Sequence, residues 1–190
     1  MSEKIRSFIA IEIPENIRKD INRYIQELQK HAPKLKWVKP ESLHITLKFL
    51  GEQDPQRIEQ AIVNLTKLGN NLDGFDLSIK NFGAFPNEKR PKVLWLGLEA
   101  IPRESFFGLF NRIEDTLGGI GFEREQRKFS PHLTLARIKY PDNFSGLFEF
   151  VAKNPFETHT FSVDGFVLMR SFLKQSGAEY KVIQKYPLHG

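Results

Sequence analysis

Apolar and polar positions alternate along residues 4 to 13. Ile9, Ile11 and Ile13 fall on one side, and Phe8, Ala10 and Glu12 on the other. A period of two is that of a strand with one face in the core. Pro14 and Glu15 then open a helix, since proline is tolerated in a first turn and acid suits its positive end. Ile17, Ile21, Tyr24, Ile25 and Leu28 recur at spacings of three and four and form its buried stripe. Leu35 to Val38 reads as a short edge strand that Pro40 ends.

Residues 43 to 50 carry the most informative alternation. Ile45, Leu47 and Phe49 face one way and predict a core side; His44, Thr46 and Lys48 face the other, and all three can hydrogen-bond. Gly51 is expected to end this strand. Asp54 and Pro55 start a second helix as N-cap and first-turn residue, with Ile58, Ala61, Ile62 and Leu65 inward and Gly69 to Asn71 as the stop. Phe75 to Phe85 and Lys92 to Ala100 read as strands joined by a basic turn, Pro86 to Pro91. Pro102 opens a third helix with Phe106, Phe107, Leu109, Phe110 and Ile113 inward, and Gly118 to Gly121 terminate it.

A further strand runs from His132 to about Lys139. Pro141 and Asp142 open a short helix or loop reaching Lys153. Phe156 to Phe172 contains a strand, and Tyr180 to Tyr186 pairs with it through the turn Lys174-Gln175-Ser176-Gly177. The order of elements predicts an α+β protein, with mainly antiparallel sheets and helices on their outer faces.

One stretch occurs twice. Ser42-Leu43-His44-Ile45-Thr46-Leu47 returns as Ser130-Pro131-His132-Leu133-Thr134-Leu135, an offset of 88 residues (132 − 44). Ile13, Pro14 and Ile25 match Ile101, Pro102 and Ile113 at the same offset. The chain reads as an internal duplication in which each half delivers one His and one Thr to a shared cleft.

Composition narrows the chemistry. The 190 residues suit one domain or two closely joined lobes. The absence of Cys excludes disulfides, thiolate catalysis and Cys-type zinc sites, and fits a reducing compartment. Lys and Arg number 28 against 23 Asp and Glu, and a net charge of +5 favours anionic partners such as phosphates or nucleic acid. The N-terminal apolar run is too short to span a membrane and lacks a secretory layout. The expectation is a soluble, cytoplasmic protein with no membrane association.

Residues i and i+2 of a strand share a face, so His44 points with Thr46 and His132 with Thr134. Two opposed imidazoles suit proton transfer near neutrality, their free pKa lying near about 6.5. Hydroxyls beside them can hold phosphate oxygens or orient the rings. A single His-x-Thr on a strand is ordinary; two in register within a longer repeat favour function. Zinc ligation by the pair is a weaker rival, because no carboxylate sits at a recognised spacing. Neither a phosphate-binding glycine loop nor a Gly-x-Ser-x-Gly elbow occurs.

The paired His-x-Thr motifs resemble the 2H phosphoesterase superfamily, and most closely its RNA 2′,3′-cyclic phosphodiesterases, also called 2′-5′ RNA ligases. The likeness runs through Arg6 to Ile11, Trp37 to Gly51, Gly83 to Pro86, Val93 to Gly97, Pro131 to Arg137 and a final hairpin from Ser171 through Gly177 to Tyr180. It implies residues 1–190 as a single domain of two intertwined lobes around a central cleft. It implies metal-independent, cofactor-free opening of a 2′,3′-cyclic phosphate at an RNA end or on a nucleotide, leaving a 2′-phosphate. Carried over, His44 is the general acid, His132 the general base, and Thr46 and Thr134 hold the phosphate. The reverse reaction with a 5′-hydroxyl would make a 2′-5′ linkage. A non-catalytic binding module, or a phosphodiesterase for another cyclic or 2′-5′-linked nucleotide, remains the alternative.

Arg137 matches the family's arginine five residues after the second histidine and suits phosphate. Simple alternation places it on the face opposite His132, and a bulge, strand end or twist is needed to bring it round. Phe8 either lines the cleft and stacks on a base or is a core aromatic. Trp37 and Trp95 read as core. Lys48 either steers phosphates or stands solvated at the rim. His31, His159 and His189 receive no role, and the protein is expected to be a monomer.

Overall fold

The computed structural model describes residues 3–126, 129–175 and 177–189. The opening alternation forms β1, Ile5–Glu12, and the amphipathic stripe after it forms α1, Glu15–His31. A two-residue strand β2, Lys36–Trp37, and a 3-10 turn, Pro40–Ser42, lead into the first motif strand β3, His44–Gln53. Then follow α2 (Pro55–Gly69), β4 (Phe75–Phe85), β5 (Val93–Ile101) and α3 (Arg103–Gly118). The second motif strand is β6, His132–Arg137. After it come α4 (Ser145–Lys153), β7 (His159–Val163), β8 (Gly165–Lys174) and β9 (Gly177–Pro187). Of the expected turn before β9, Ser176 lies outside the described residues.

The strands form two sheets, β3-β1-β8-β9 and β2-β6-β5-β4-β7, in which every strand pair is antiparallel. The protein is α+β, as the element order predicted. The halves interlock: β2 of the first half edges the sheet of the second motif, and C-terminal β8 and β9 complete the sheet of the first. Helix α1 packs with α4, and α2 with α3. One apolar cluster contains Ile9, Ile11, Ile45 and Leu47 from the first sheet with Leu94, Leu96, Leu133 and Leu135 from the second. Each such side chain contributes about 1.5–3 kcal/mol on leaving water.

The two motif strands pair with their neighbours in the same way. Ile9 faces Lys48 and Ala10 faces Thr46, which leaves Leu47 as an extra residue in β3. Leu94 faces Ala136 and Trp95 faces Thr134, which leaves Leu135 extra in β6. Each strand therefore carries a bulge three residues after its histidine. The first strands of the halves correspond at an offset of 85 (94 − 9), whereas the motifs correspond at 88. The Ile101 match belongs to a longer β5, which runs four residues past Gly97, the partner of His132.

The bulge overturns strict alternation. After Leu47, Lys48 turns inward at 6% exposure and Phe49 turns outward at 66%, the reverse of the expected faces. Gly51 does not end β3: it sits inside the strand at φ 70°, just after a second register shift against β1, and the pairing continues to Gln53. Phe107, expected inward, is exposed, while Glu114 takes a buried place on α3. The stretch Phe156 to Phe172 divides into β7 and β8, which belong to different sheets. Among the described residues no helix is long and apolar enough to cross a membrane.

Candidate active site

His44 begins β3 opposite Glu12, and His132 begins β6 opposite Gly97. Both imidazoles are half-buried, and the residues after each, Ile45 and Leu133, are fully buried. Thr46 and Thr134 share the half-buried faces of their histidines. The strands β3 and β6 approach each other across the seam between the sheets.

The two rings are anchored alike. His44 Nδ1 lies 2.7 Å from the Ser42 carbonyl, and His132 Nδ1 lies 2.7 Å from the Ser130 carbonyl. A carbonyl oxygen only accepts, so each Nδ1 carries the donated hydrogen. That leaves Nε2 of each ring as a base when neutral and an acid when protonated.

Aromatic rings support both histidines. Phe8 lies 4.7 Å from the His44 ring, and Tyr180 meets it edge-on at 5.0 Å. Phe85 meets His132 edge-on at 5.0 Å and is itself 5.0 Å from Trp95. The Trp95 indole crosses Gly83, where an added Cβ would come within 2.4 Å of ring carbons. Phe8 is only 3% exposed, so it lies beneath His44 and does not present a face to a base.

Arg137 emerges on the histidine face of β6. Leu135 and Ala136 are both buried across the bulge, so the residue after them is turned to the side of His132 and Thr134. Burial pushes the His44 pKa below its ordinary value; the hydrogen bond to Ser42 opposes this, and the Arg137 charge adds to the lowering. Tyr180 is pushed up by burial, with Arg137 and Arg6 opposing. Arg137 thus joins the second motif to the first. Among the described residues neither Arg6 nor Arg137 has a carboxylate partner within ion-pair distance.

Lys48 is buried and so neither faces a ligand nor stands solvated. Its Nζ donates to both Glu114 carboxylate oxygens at 2.8 Å and to the Glu123 carbonyl at 2.7 Å, and Glu125 N–H donates to Glu114 at 3.1 Å. The remaining histidines are elsewhere: His31 stacks on Phe150, His159 lies 3.8 Å from Asp20, and His189 bonds the Asn70 carbonyl. Among the described residues no cluster of three or more His, Asp or Glu is arranged to hold a metal ion.

Sequence reasoning missed Tyr180 and Phe49. Phe49 was discoverable, because it stands 88 residues before Arg137, in the same place of the repeat. Tyr180 had no such signal, since it reaches His44 from the far end of the chain.

The model of the family described as LigT-like phosphoesterase matches twice, over residues 11–95 and 96–180, an offset equal to that of β1 and β5. An RNA 2′,3′-cyclic phosphodiesterase of Thermotoga maritima is 35% identical over 187 residues, 98% of this chain and 97% of that protein. Another of the same name from Methanocaldococcus jannaschii is 33% identical over 183 residues, 96% of this chain and 100% of that one. The crystal structure of TT0787 of Thermus thermophilus superposes with a TM-score of 0.77 at 29% identity, covering 98% of this chain and 99% of that one. Two tandem matches spanning both histidine motifs, with whole-length relatives, make this chain a member of the LigT-like phosphoesterase family, the 2H phosphoesterases.

Proposed function

We propose that the protein hydrolyses 2′,3′-cyclic phosphates at RNA ends, leaving 2′-phosphomonoesters, through general acid–base catalysis by His44 and His132. The observation that carries this reading is the matched anchoring of the two imidazoles, each held at Nδ1 with Nε2 left for chemistry. The names of the relatives from Thermotoga maritima and Methanocaldococcus jannaschii support the substrate class.

In the step proposed, His132 Nε2 takes a proton from water as its oxygen attacks phosphorus. The bond from phosphorus to the 3′ oxygen breaks, and His44 Nε2–H gives its proton to that oxygen. One proton has moved from one ring to the other, and solvent exchange restores the starting state. Thr46, Thr134 and Arg137 hold the non-bridging oxygens, where a guanidinium and two hydroxyls stabilise the growing charge. Burial, the largest cause, lowers the His44 pKa, and a phosphate anion beside the ring would oppose that lowering and favour the protonated form that a general acid needs. A 5′-hydroxyl attacking phosphorus in place of water, with the 3′ oxygen again leaving as a hydroxyl, would form a 2′-5′ linkage. On this reading the enzyme is a single domain of two lobes, working as a cytoplasmic monomer.

The test is incubation with an oligoribonucleotide ending in a 2′,3′-cyclic phosphate, with and without chelator, and identification of the product. A 2′-phosphate formed equally in both is expected. A 3′-phosphate, or loss of turnover with chelator, would contradict the mechanism. Tight binding without turnover would make the protein a binding module.

A further inference from the structure

Lys36 stands opposite Arg137 where the edge strand β2 pairs with β6. Residues directly opposite in an antiparallel pair project from the same face, with Cβ atoms about 4.5–5.5 Å apart. The next pair fixes the sides: Trp37 packs against the main core and faces Ala136, which is fully buried. Lys36 therefore shares with Arg137 the face that carries His132 and Thr134, and it is exposed. Along β6 from His132, Thr134 comes first and Arg137 next, with Lys36 beside it at the edge of the sheet.

This end of the second sheet is basic. The Ile138 N–H donates to the Lys92 carbonyl at 2.9 Å, which lays the chain after β6 along the start of β5. In residues 86–92 and 137–140, Lys89, Arg90, Lys92, Arg137 and Lys139 stand against one acid, Glu88. Among the described residues none of Lys36, Lys89, Arg90, Lys92 and Lys139 has a carboxylate within ion-pair distance. The corresponding end of the first sheet is balanced: Arg6 faces Glu52 across β1 and β3, and Arg170 pairs with Glu3 at 2.8 Å.

We propose that Lys36 holds the internucleotide phosphate on the 5′ side of the cyclic end, and that the RNA strand leaves the site past Arg137 over this basic end of the second sheet. The inference rests on the function proposed above and deepens it. An exposed ammonium with no acidic neighbour holds a phosphodiester whatever base it carries, because the contact is to the backbone. A cyclic mononucleotide has no such phosphodiester, so Lys36 distinguishes an RNA end from a free nucleotide.

The experiment compares a trinucleotide ending in a 2′,3′-cyclic phosphate with a nucleoside 2′,3′-cyclic phosphate, over a range of salt. Lys36→Gln should lower kcat/KM on the trinucleotide about 3- to 10-fold, through KM, and leave the mononucleotide unchanged. The slope of log kcat/KM against log salt for the trinucleotide should become shallower by about 0.7. Lys36→Arg should keep the wild-type slope, and so should Lys153→Gln, which removes an equal charge from α4. Equal losses on both substrates, an unchanged slope in Lys36→Gln, or an equal change in Lys153→Gln would overturn the proposal. Fluorescence anisotropy of a labelled trinucleotide ending in a 2′-phosphate separates this from the hydrolysis. If the wild-type protein leaves cyclic ends intact yet binds that trinucleotide with a slope that depends on Lys36, hydrolysis falls and the path stands. If it hydrolyses cyclic ends and neither slope depends on Lys36, only the path falls.

Discussion

Arg137, on the second motif strand, lies close enough to His44, on the first, for its charge to act on the imidazole. Burial is the larger influence, the Ser42 carbonyl opposes it, and Arg137 adds to the lowering. The relationship ties the two copies of the repeat into one electrostatic unit. Arg137→Met should therefore raise the His44 pKa, read from its ring protons by NMR titration. An unmoved titration would separate the two motifs.

The same lowering sets a direction for stability against pH. The unfolded imidazole titrates near about 6.5, above its folded value. Between those two values the unfolded chain holds more protons, so this histidine's contribution is complete above the unfolded pKa and is lost as pH falls through it toward the folded one. Denaturant midpoints followed from roughly pH 7.5 to 5 should fall less steeply in His44→Gln than in the wild type. Parallel curves would show that His44 folds with no change in proton affinity.

His44→Ala and His132→Ala should each lower turnover of a 2′,3′-cyclic phosphate by about 10²- to 10⁴-fold. The double variant should lose less than the product of the two, because acid and base act as a unit. The wild-type rate should be bell-shaped in pH. Near-normal turnover in either single variant would remove that ring from the mechanism.

Lys48 and Glu114 form a buried ion pair, each 6% exposed. Lys48→Met leaves a buried carboxylate with only the Glu125 amide among the described hydrogen bonds named above, and should cost about 3–5 kcal/mol in denaturant unfolding. Lys48→Met with Glu114→Leu should recover part of that loss. A double variant worse than the single would mean that the hydrogen bonds to Glu123 and Glu125 dominate.

Gly83→Ala should force the Trp95 indole off its seat, at a cost of about 1–3 kcal/mol. Phe85 rests on that indole and His132 rests on Phe85, so turnover should fall along with stability. A change in tryptophan fluorescence without loss of turnover would show that the stack does not position His132.

Much of the fold was legible because the period of the apolar residues is local information. The stripe on α1 and the alternation in β1 need only neighbours in the sequence. The two histidines and two threonines were legible because the repeat displays them in register. Lys48 and Phe49 were misplaced because one extra residue reverses every face downstream, and a bulge leaves no mark in composition. Arg137 was doubtful for the same reason and is corrected by the same residue. Phe8 follows alternation, but only packing against β8 and β9 determines that its ring is covered.

The bulges at Leu47 and Leu135 give the repeat matching frames but unlike fittings. The position five residues past the histidine is an arginine in one half and a phenylalanine in the other. Twin frames with like residues would make the two halves equivalent; a guanidinium at this place in one half and a bare ring in the other do not. Duplication supplied the pair of histidine rings, and divergence at a single matched position made their surroundings chemically unlike.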